Sequence, residues 1–341
     1  MGFVRRVTSR PAAAAALVAA LAATAFGVAG SAAGAPPPDR PNTLAGARSS
    51  APVANATWVR ERIATSSDQD WFRFDVPRAG QVMANLGGLP ANYSLDVYDP
   101  AGHRVGGSNA PGSQFERELW SAPAAGTYFA RVDSAGAFNT SKTYALRFEV
   151  LRKGLAVLSA TSFRMTNGHA SVSAEIRNTS SSWLRIQFVY LDLRDASGAT
   201  IYTDGASLTN VVLPPGGVSH ITTASVKEVP ATFKSVRVRP TWTTAPSAAN
   251  PKLTVHPTST GTGPRFTGTV STTSATAKYE ASVYVNYYDA YGRLTLTGAF
   301  YAGNEGAIPA GGSGAYDVTM SLAPFYPKPK RVTITPFVQR F

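Results

Sequence analysis

The stretch Asp68-Gln69-Asp70-Trp71-Phe72-Arg73-Phe74-Asp75-Val76-Pro77-Arg78-Ala79-Gly80 decides how this chain is read. From Phe72 onward, apolar residues alternate with Arg73 and Asp75, the period-2 pattern of a strand that buries one face. Pro77 and Gly80 close the strand with turn residues. Three later phrases continue the theme: Tyr93-Ser-Leu-Asp-Val-Tyr-Asp-Pro-Ala-Gly102, Ala124-Ala-Gly-Thr-Tyr-Phe-Ala-Arg-Val132 and Tyr144-Ala-Leu-Arg-Phe-Glu-Val150. Tyr128, Ala130 and Val132 alternate with Phe129 and Arg131, which predicts a second strand with its own buried face. Asp99-Pro100-Ala101-Gly102 reads as a hairpin turn: Asp bonds its own backbone, Pro presets φ, and Gly accepts positive φ.

Taken in order, these phrases resemble the bacterial pre-peptidase C-terminal domain, a β-sandwich appended to secreted enzymes. The resemblance rests on the Asp68-x-Asp70-x-Phe72 opening, the Leu95-Asp-Val-Tyr-Asp99 strand, Gly126-Thr-Tyr128 and the closing strand to Val150. It covers about a quarter of the chain and implies no reaction.

Around that module, 341 residues exceed one ordinary core, so several domains are expected. A composition of 44% hydrophobic and 15% charged residues, with 30 Gly and 24 Pro, is that of a turn-rich globular chain. Cysteine is absent, which removes disulfides, thiolate nucleophiles and cysteine metal sites. Arg5, Arg6 and Arg10, the uncharged Ala12 to Val28 run and the small residues Ala33-Gly34-Ala35 read as an export signal over 1–35. The Pro/Ala/Ser-rich segment 36–54 reads as a tether. The expected location is therefore secreted or cell-surface associated, with no stable membrane span after cleavage.

Beyond Val150 the chain repeats itself. Asp195-Ala-Ser-Gly198 recurs as Asp289-Ala-Tyr-Gly292, and Pro215-Gly-Gly217 as Pro309-Ala-Gly311, each 94 positions on. Val236-Arg-Val-Arg-Pro240 recurs as Val332-Thr-Ile-Thr-Pro336 at a spacing of 96, which implies a two-residue insertion. So long a period means tandem domains. Glu175-Ile-Arg-Asn-Thr-Ser180, Tyr190-Leu-Asp-Leu193 and Asp195 resemble the FxLYD-type immunoglobulin-like domain; the second copy keeps Tyr287-Tyr-Asp289 but has Thr272 where Asn178 stands. The expected fold is all-β: three tandem β-sandwiches, one like the pre-peptidase module (55–150) and two immunoglobulin-like (155–243 and 251–341), the latter separated by a Thr/Ala/Pro/Ser linker at 243–250.

Catalytic patterns are missing. His103, His169, His220 and His256 form no H-E-x-x-H pair, and neither a G-x-S-x-G elbow nor a phosphate-binding Gly-rich loop occurs. The chain is read as a non-enzyme. Two kinds of binding residue stand out instead. Asp68, Asp70, Asp96 and Asp99 could gather oxygen ligands for calcium, which the related family sometimes binds; the alternative is that they cap turns and pair with Arg73 or Arg78. Tyr287, Tyr288 and Tyr291 crowd one strand and turn; alternation forbids Tyr287 and Tyr288 from sharing a core, so one is expected to face solvent and stack on a ligand. Trp58, Trp71, Trp120, Trp183 and Trp242 are expected in core or edge packing. A formal charge of +12 favours anionic partners, whereas nucleic acid has no motif behind it. The functional expectation is binding or adhesion to cell-wall or extracellular polysaccharide or to a matrix protein; the alternatives are a spacer or accessory partner of a secreted hydrolase, or a hydrolase of unrecognised type.

Overall fold

The computed structural model describes residues 39–206, 211–246, 253–259, 263–273, 279–303, 307–320, 326 and 328–339. The export signal and part of the 243–250 linker lie outside them. Apart from a short helix α1 (Leu44–Arg48), the regular structure is antiparallel β. No helix among the described residues is long and apolar enough to cross a membrane.

The first sandwich comprises β1 (Trp58–Glu61), β2 (Gln69–Val76), β3 (Gly80–Gly87), β4 (Tyr93–Tyr98), β5 (Arg104–Ser108), β6 (Glu116–Ala122), β7 (Gly126–Ser134) and β8 (Tyr144–Val150). They form two sheets, ordered β1-β8-β3-β6 and β2-β7-β4-β5. Their facing sides supply Phe72, Phe74, Leu95, Tyr128, Val132, Leu86 and Phe148 to one core, following the alternation in the sequence. Phe74 stacks on Phe148 with ring centroids 4.0 Å apart.

Residues 39–54 correct the tether reading. Thr43 caps α1 by accepting from the Gly46 amide, and Pro41 and Asn42 accept from the backbone amides of Trp71 and Gln69. Leu44 and Ala47 then cover Trp71 and Phe129 on the outer face of β2 and β7. Phe129, which alternation sends away from the main core, is thereby buried as well. Burial of this second apolar layer is what turns a Pro/Ala-rich segment into packed structure.

The second sandwich runs through β9 (Leu155–Arg164), β10 (His169–Asn178), β11 (Leu184–Arg194), β12 (Thr200–Ala206), β13 (Val212–Leu213), β14 (Val218–Glu228) and β15 (Ser235–Thr244). The third runs through β16 (Leu253–Pro257), β17 (Arg265–Thr272), β18 (Tyr279–Tyr288), β19 (Leu294–Tyr301), β20 (Ala307–Ile308), β21 (Ser313–Thr319) and β22 (Arg331–Gln339). Pairing repeats strand for strand: β14-β10-β9 matches β21-β17-β16, and β11 with β12, β13 and β15 matches β18 with β19, β20 and β22. The Asp-x-x-Gly turns match too. Asp195 and Asp289 each accept from the amide of the following turn glycine, and Gly198 and Gly292 hold φ of 84° and 70°.

Each sandwich has its own main core, with Val189, Leu191 and Leu193 in the second replaced by Val283, Val285 and Tyr287 in the third. Smaller clusters join them: Met83 and Leu119 meet Ala156 and Leu158, and Phe115 meets Tyr288 and Leu294. Gly87 is required at one such contact, because a Cβ there would lie 2.6 Å from the Tyr291 backbone.

Truncating Phe148 to alanine removes half of the Phe74 stack from a fully enclosed site. An expected loss of about 3–5 kcal/mol should appear as a lower denaturation midpoint for the first sandwich.

Candidate functional site

Three features combine chemistry with a defined position. The first is a carboxylate cluster where β2 begins. Asp68 and Asp70 are buried, and their oxygens lie within 4.8 Å of one another and of the exposed Asp39. One oxygen of each buried residue is satisfied: Ala64 donates its amide to Asp68 at 2.6 Å, and the Tyr144 hydroxyl donates to Asp70. Oδ1 of Asp68 and Oδ1 of Asp70 are buried without a hydrogen-bond partner. Burial raises the Asp70 carboxyl to about 7; the Tyr144 hydrogen bond opposes this, and the charges of Asp68, Glu61 and Asp39 add to it.

The other two acids expected in this set are elsewhere. Asp96 accepts from Arg104 and Arg131, each at 2.6 Å, and Asp99 accepts from the backbone and ring of His103. Asp96 is thus paired by arginines of β5 and β7, and Asp99 is bonded within its own turn. Arg73 lies against Asp75 at 3.7 Å instead of Asp68 or Asp70.

The second feature is a polar junction where the three sandwiches meet. One face of β10 points Ala170, Val172, Ala174 and Ile176 into its own core, while the opposite face presents Ser171, Ser173 and Glu175, also buried. Glu175 binds Arg117 of the first sandwich at 2.7 Å, lies 3.6 Å from His220 of its own sheet, and accepts from Tyr288 of the third sandwich at 3.4 Å. The Tyr288 hydroxyl is also 3.2 Å from His220 Nε2. Arg117 is fixed on its remaining edges by Asn85 and the Gly292 carbonyl. Serine and threonine hydroxyls extend the seam: Ser173 donates to Thr295 O at 2.9 Å, and Thr297 N donates to Thr222 at 2.9 Å. Burial alone would push the Glu175 carboxyl up, but Arg117 and His220 outweigh it and hold it at about 2. Beside this network lies a cavity of about 330 Å³.

The tyrosines singled out in the sequence belong here. Tyr287 is 0% exposed in the third core, where its hydroxyl donates to Met320 O. Tyr288 projects oppositely, as alternation requires, yet is buried against Glu175 and Phe115. Tyr291 is half-buried over Gly88, edge-on to Trp58 at 5.6 Å. None offers the open stacking face expected: Tyr287 fills the third core, and the first and second sandwiches cover Tyr288 and Tyr291.

The third feature is an open sheet face that tyrosine counting overlooked. On β11, Phe188, Tyr190 and Asp192 project away from the core residues Val189, Leu191 and Leu193. Phe188 and Tyr190 stand 4.8 Å apart, and Tyr190 is 38% exposed. Arg239, opposite Tyr190 on β15, lies 5.2 Å over its ring and makes a two-pronged bond to Asp192 at 2.7 and 2.8 Å. By register and alternation Arg185, Arg194 and Arg237 share this face, and none makes an ion pair among the described residues.

Residues 68–134 match the bacterial pre-peptidase C-terminal domain. No curated protein matches the chain. Among solved structures, the pre-peptidase C-terminal domain of a Bacillus anthracis collagenase is 14% identical, with 28% of this chain and 91% of that chain covered at a TM-score of 0.24. A GH2 β-galacturonidase from Eisenbergiella tayi is 15% identical over 60% of this chain and 33% of its own, at a TM-score of 0.30. A Parabacteroides merdae β-glucuronidase is 8% identical over 69% and 27%, at 0.26. The chain spans about a third or less of these glycosidases, and at such scores none of the three likenesses carries an argument.

The Glu175 shift fixes a pH dependence. A carboxyl depressed from 4.5 to about 2 contributes stability that is fully present above pH 4.5 and is lost as pH falls toward 2. Its size is on the order of 3 kcal/mol. Glu175→Gln should therefore be less stable than wild type at pH 7, with the two melting curves converging between pH 4.5 and 2. Parallel curves over that range would contradict this assignment.

Proposed function

We propose that this chain is an exported, non-catalytic module that binds an acidic polysaccharide through the outer face of β12, β11 and β15. The observation that carries this reading is the Phe188–Tyr190 pair beside an Arg239 held in place by Asp192. An exposed ring pair stacks on the apolar face of a pyranose, and arginine N–H groups aimed by a buried carboxylate recognise a uronic acid carboxylate. Unpaired Arg185, Arg194 and Arg237 extend the positive field along the polymer.

Comparison of the two repeats supports the choice of this face. The positions of Tyr190, Asp192, Arg237 and Arg239 are occupied in the third sandwich by Tyr284, Asn286, Thr333 and Thr335. There these four positions are uncharged and covered: Asn286 bonds Thr335 and Thr297, and the Tyr284 ring lies 6.1 Å from His220. At these four positions charge is retained only in the copy whose face remains open.

The junction does not argue for catalysis. Glu175 is a fully ionised, ion-paired carboxylate rather than a group poised near neutrality, and it is the only acid lining its cavity, whereas glycoside hydrolysis ordinarily uses a pair. Asp70 does titrate near neutrality but is wholly buried.

Asp39, Asp68 and Asp70 suit a hard cation, with the two orphaned oxygens as the donors most in need of one. Bound there, calcium would supply the positive charge that offsets three crowded carboxylates and would tie the 39–54 segment to β2.

Two outcomes are expected. Tyr190→Ala should weaken binding to a polyuronate such as polygalacturonate about tenfold, a loss of roughly 1.4 kcal/mol, and wild-type binding should fall as salt is added. Equal, salt-insensitive retention of neutral glucan and polyuronate would overturn the reading. Calcium at about 100 times its Kd should add about 2.7 kcal/mol of stability, seen as a higher Tm that chelator reverses and Asp39→Ala weakens. A melting curve unmoved by either calcium or chelator would leave the cluster a purely structural one.

A further inference from the structure

The cavity at the three-sandwich junction has an asymmetric lining. Arg117 is spent on Glu175, Asn85 and Gly292. Arg177 and Arg331, which also line the cavity, are not. The Arg177 side chain makes no hydrogen bond or ion pair among the described residues, its Nε is buried without a partner, and burial lowers its affinity for a proton despite the nearby Glu175 charge. Arg331 stacks its guanidinium 5.0 Å over Phe115 and likewise has no ion pair there. Glu116, whose carboxyl feels the Arg331 charge, is already engaged by Ser108 and the Ala110 amide. Three guanidinium groups and one carboxylate leave the lining net positive. Leu119, Leu158 and Val218 supply apolar lining, with Val218 beside Arg177 as its cross-strand partner.

We propose that this cavity binds a small organic carboxylate, its anionic end between Arg177 and Arg331 and its short apolar body against Leu119, Leu158 and Val218. A volume of about 330 Å³ suits a small ligand. A buried guanidinium edge without an acceptor is costly, and a carboxylate supplies two acceptor oxygens in matching geometry. Apolar wall area favours an anion with a hydrocarbon body over a fully hydrated one such as phosphate. Because Leu119, Arg177 and Arg331 come from the first, second and third sandwiches in turn, such a ligand fastens all three together.

Butyrate and inorganic phosphate, compared at constant ionic strength, are the probes. Butyrate should raise the Tm of the full chain saturably and give a measurable heat of binding, while phosphate at the same concentration should not. Arg177→Gln and Arg331→Gln should each weaken butyrate binding about tenfold or more, with the Tm in the absence of butyrate nearly unchanged. Tyr190→Ala should respond to butyrate as wild type does, which separates this site from the polysaccharide face. Saturation by phosphate but not butyrate, or an unaltered butyrate response in the Arg177→Gln, Arg331→Gln double variant, would overturn the proposal.

Discussion

Strand β10 buries both of its faces, and that constraint organises the molecule. One face is apolar and closes the second sandwich; the other carries Ser171, Ser173 and Glu175 into a seam with no bulk water to serve them. A charge buried there must be paired and hydrogen-bonded or it opposes folding. Glu175 meets this condition only because Arg117, His220 and Tyr288 arrive from three different places in the chain. Removing one partner leaves an uncompensated charge, so the junction specifies a single arrangement of the sandwiches rather than merely adding contact area.

The two repeats share one pairing scheme and differ in the chemistry of their outer faces. The outer face of β18 and β22 carries an asparagine and threonines bonded to one another, while Thr297 of the adjacent β19 bonds Thr222 of the second sandwich. The corresponding face of β11 and β15 keeps aspartate, arginines and an exposed ring pair. Hydroxyl and amide groups tolerate burial once bonded to one another, whereas burying an arginine without an acceptor is costly. Face chemistry thus records which side of each copy is covered.

Much of this was legible in the sequence. Period-2 alternation located β2 and β7, the pre-peptidase resemblance supplied β4, the Asp-x-x-Gly turns marked three hairpins, and the spacing of repeated phrases revealed the duplicated sandwiches. What alternation cannot show is which outward faces become covered. Phe129 and Tyr288 obey their strand period and are buried all the same, one beneath α1 and the other in the junction. Asp39 escaped notice because a Pro/Ala-rich segment hides the two apolar residues, Leu44 and Ala47, that dock it. Tyr190 was passed over for the denser Tyr287–Tyr291 cluster. A position-by-position comparison of the copies held the missing signal: Glu175 and its cross-strand partner His220 correspond to Thr269 and Ala315, and Asp192 and Arg239 to Asn286 and Thr335.

The central claim is that the three sandwiches move as one unit because of the buried Glu175 network. Backbone 15N relaxation of the full chain reads this directly. The account predicts one rotational correlation time for strand amides in all three sandwiches at pH 7. A distinctly shorter correlation time for the first sandwich than for the two repeats, with each tumbling on its own, would contradict it.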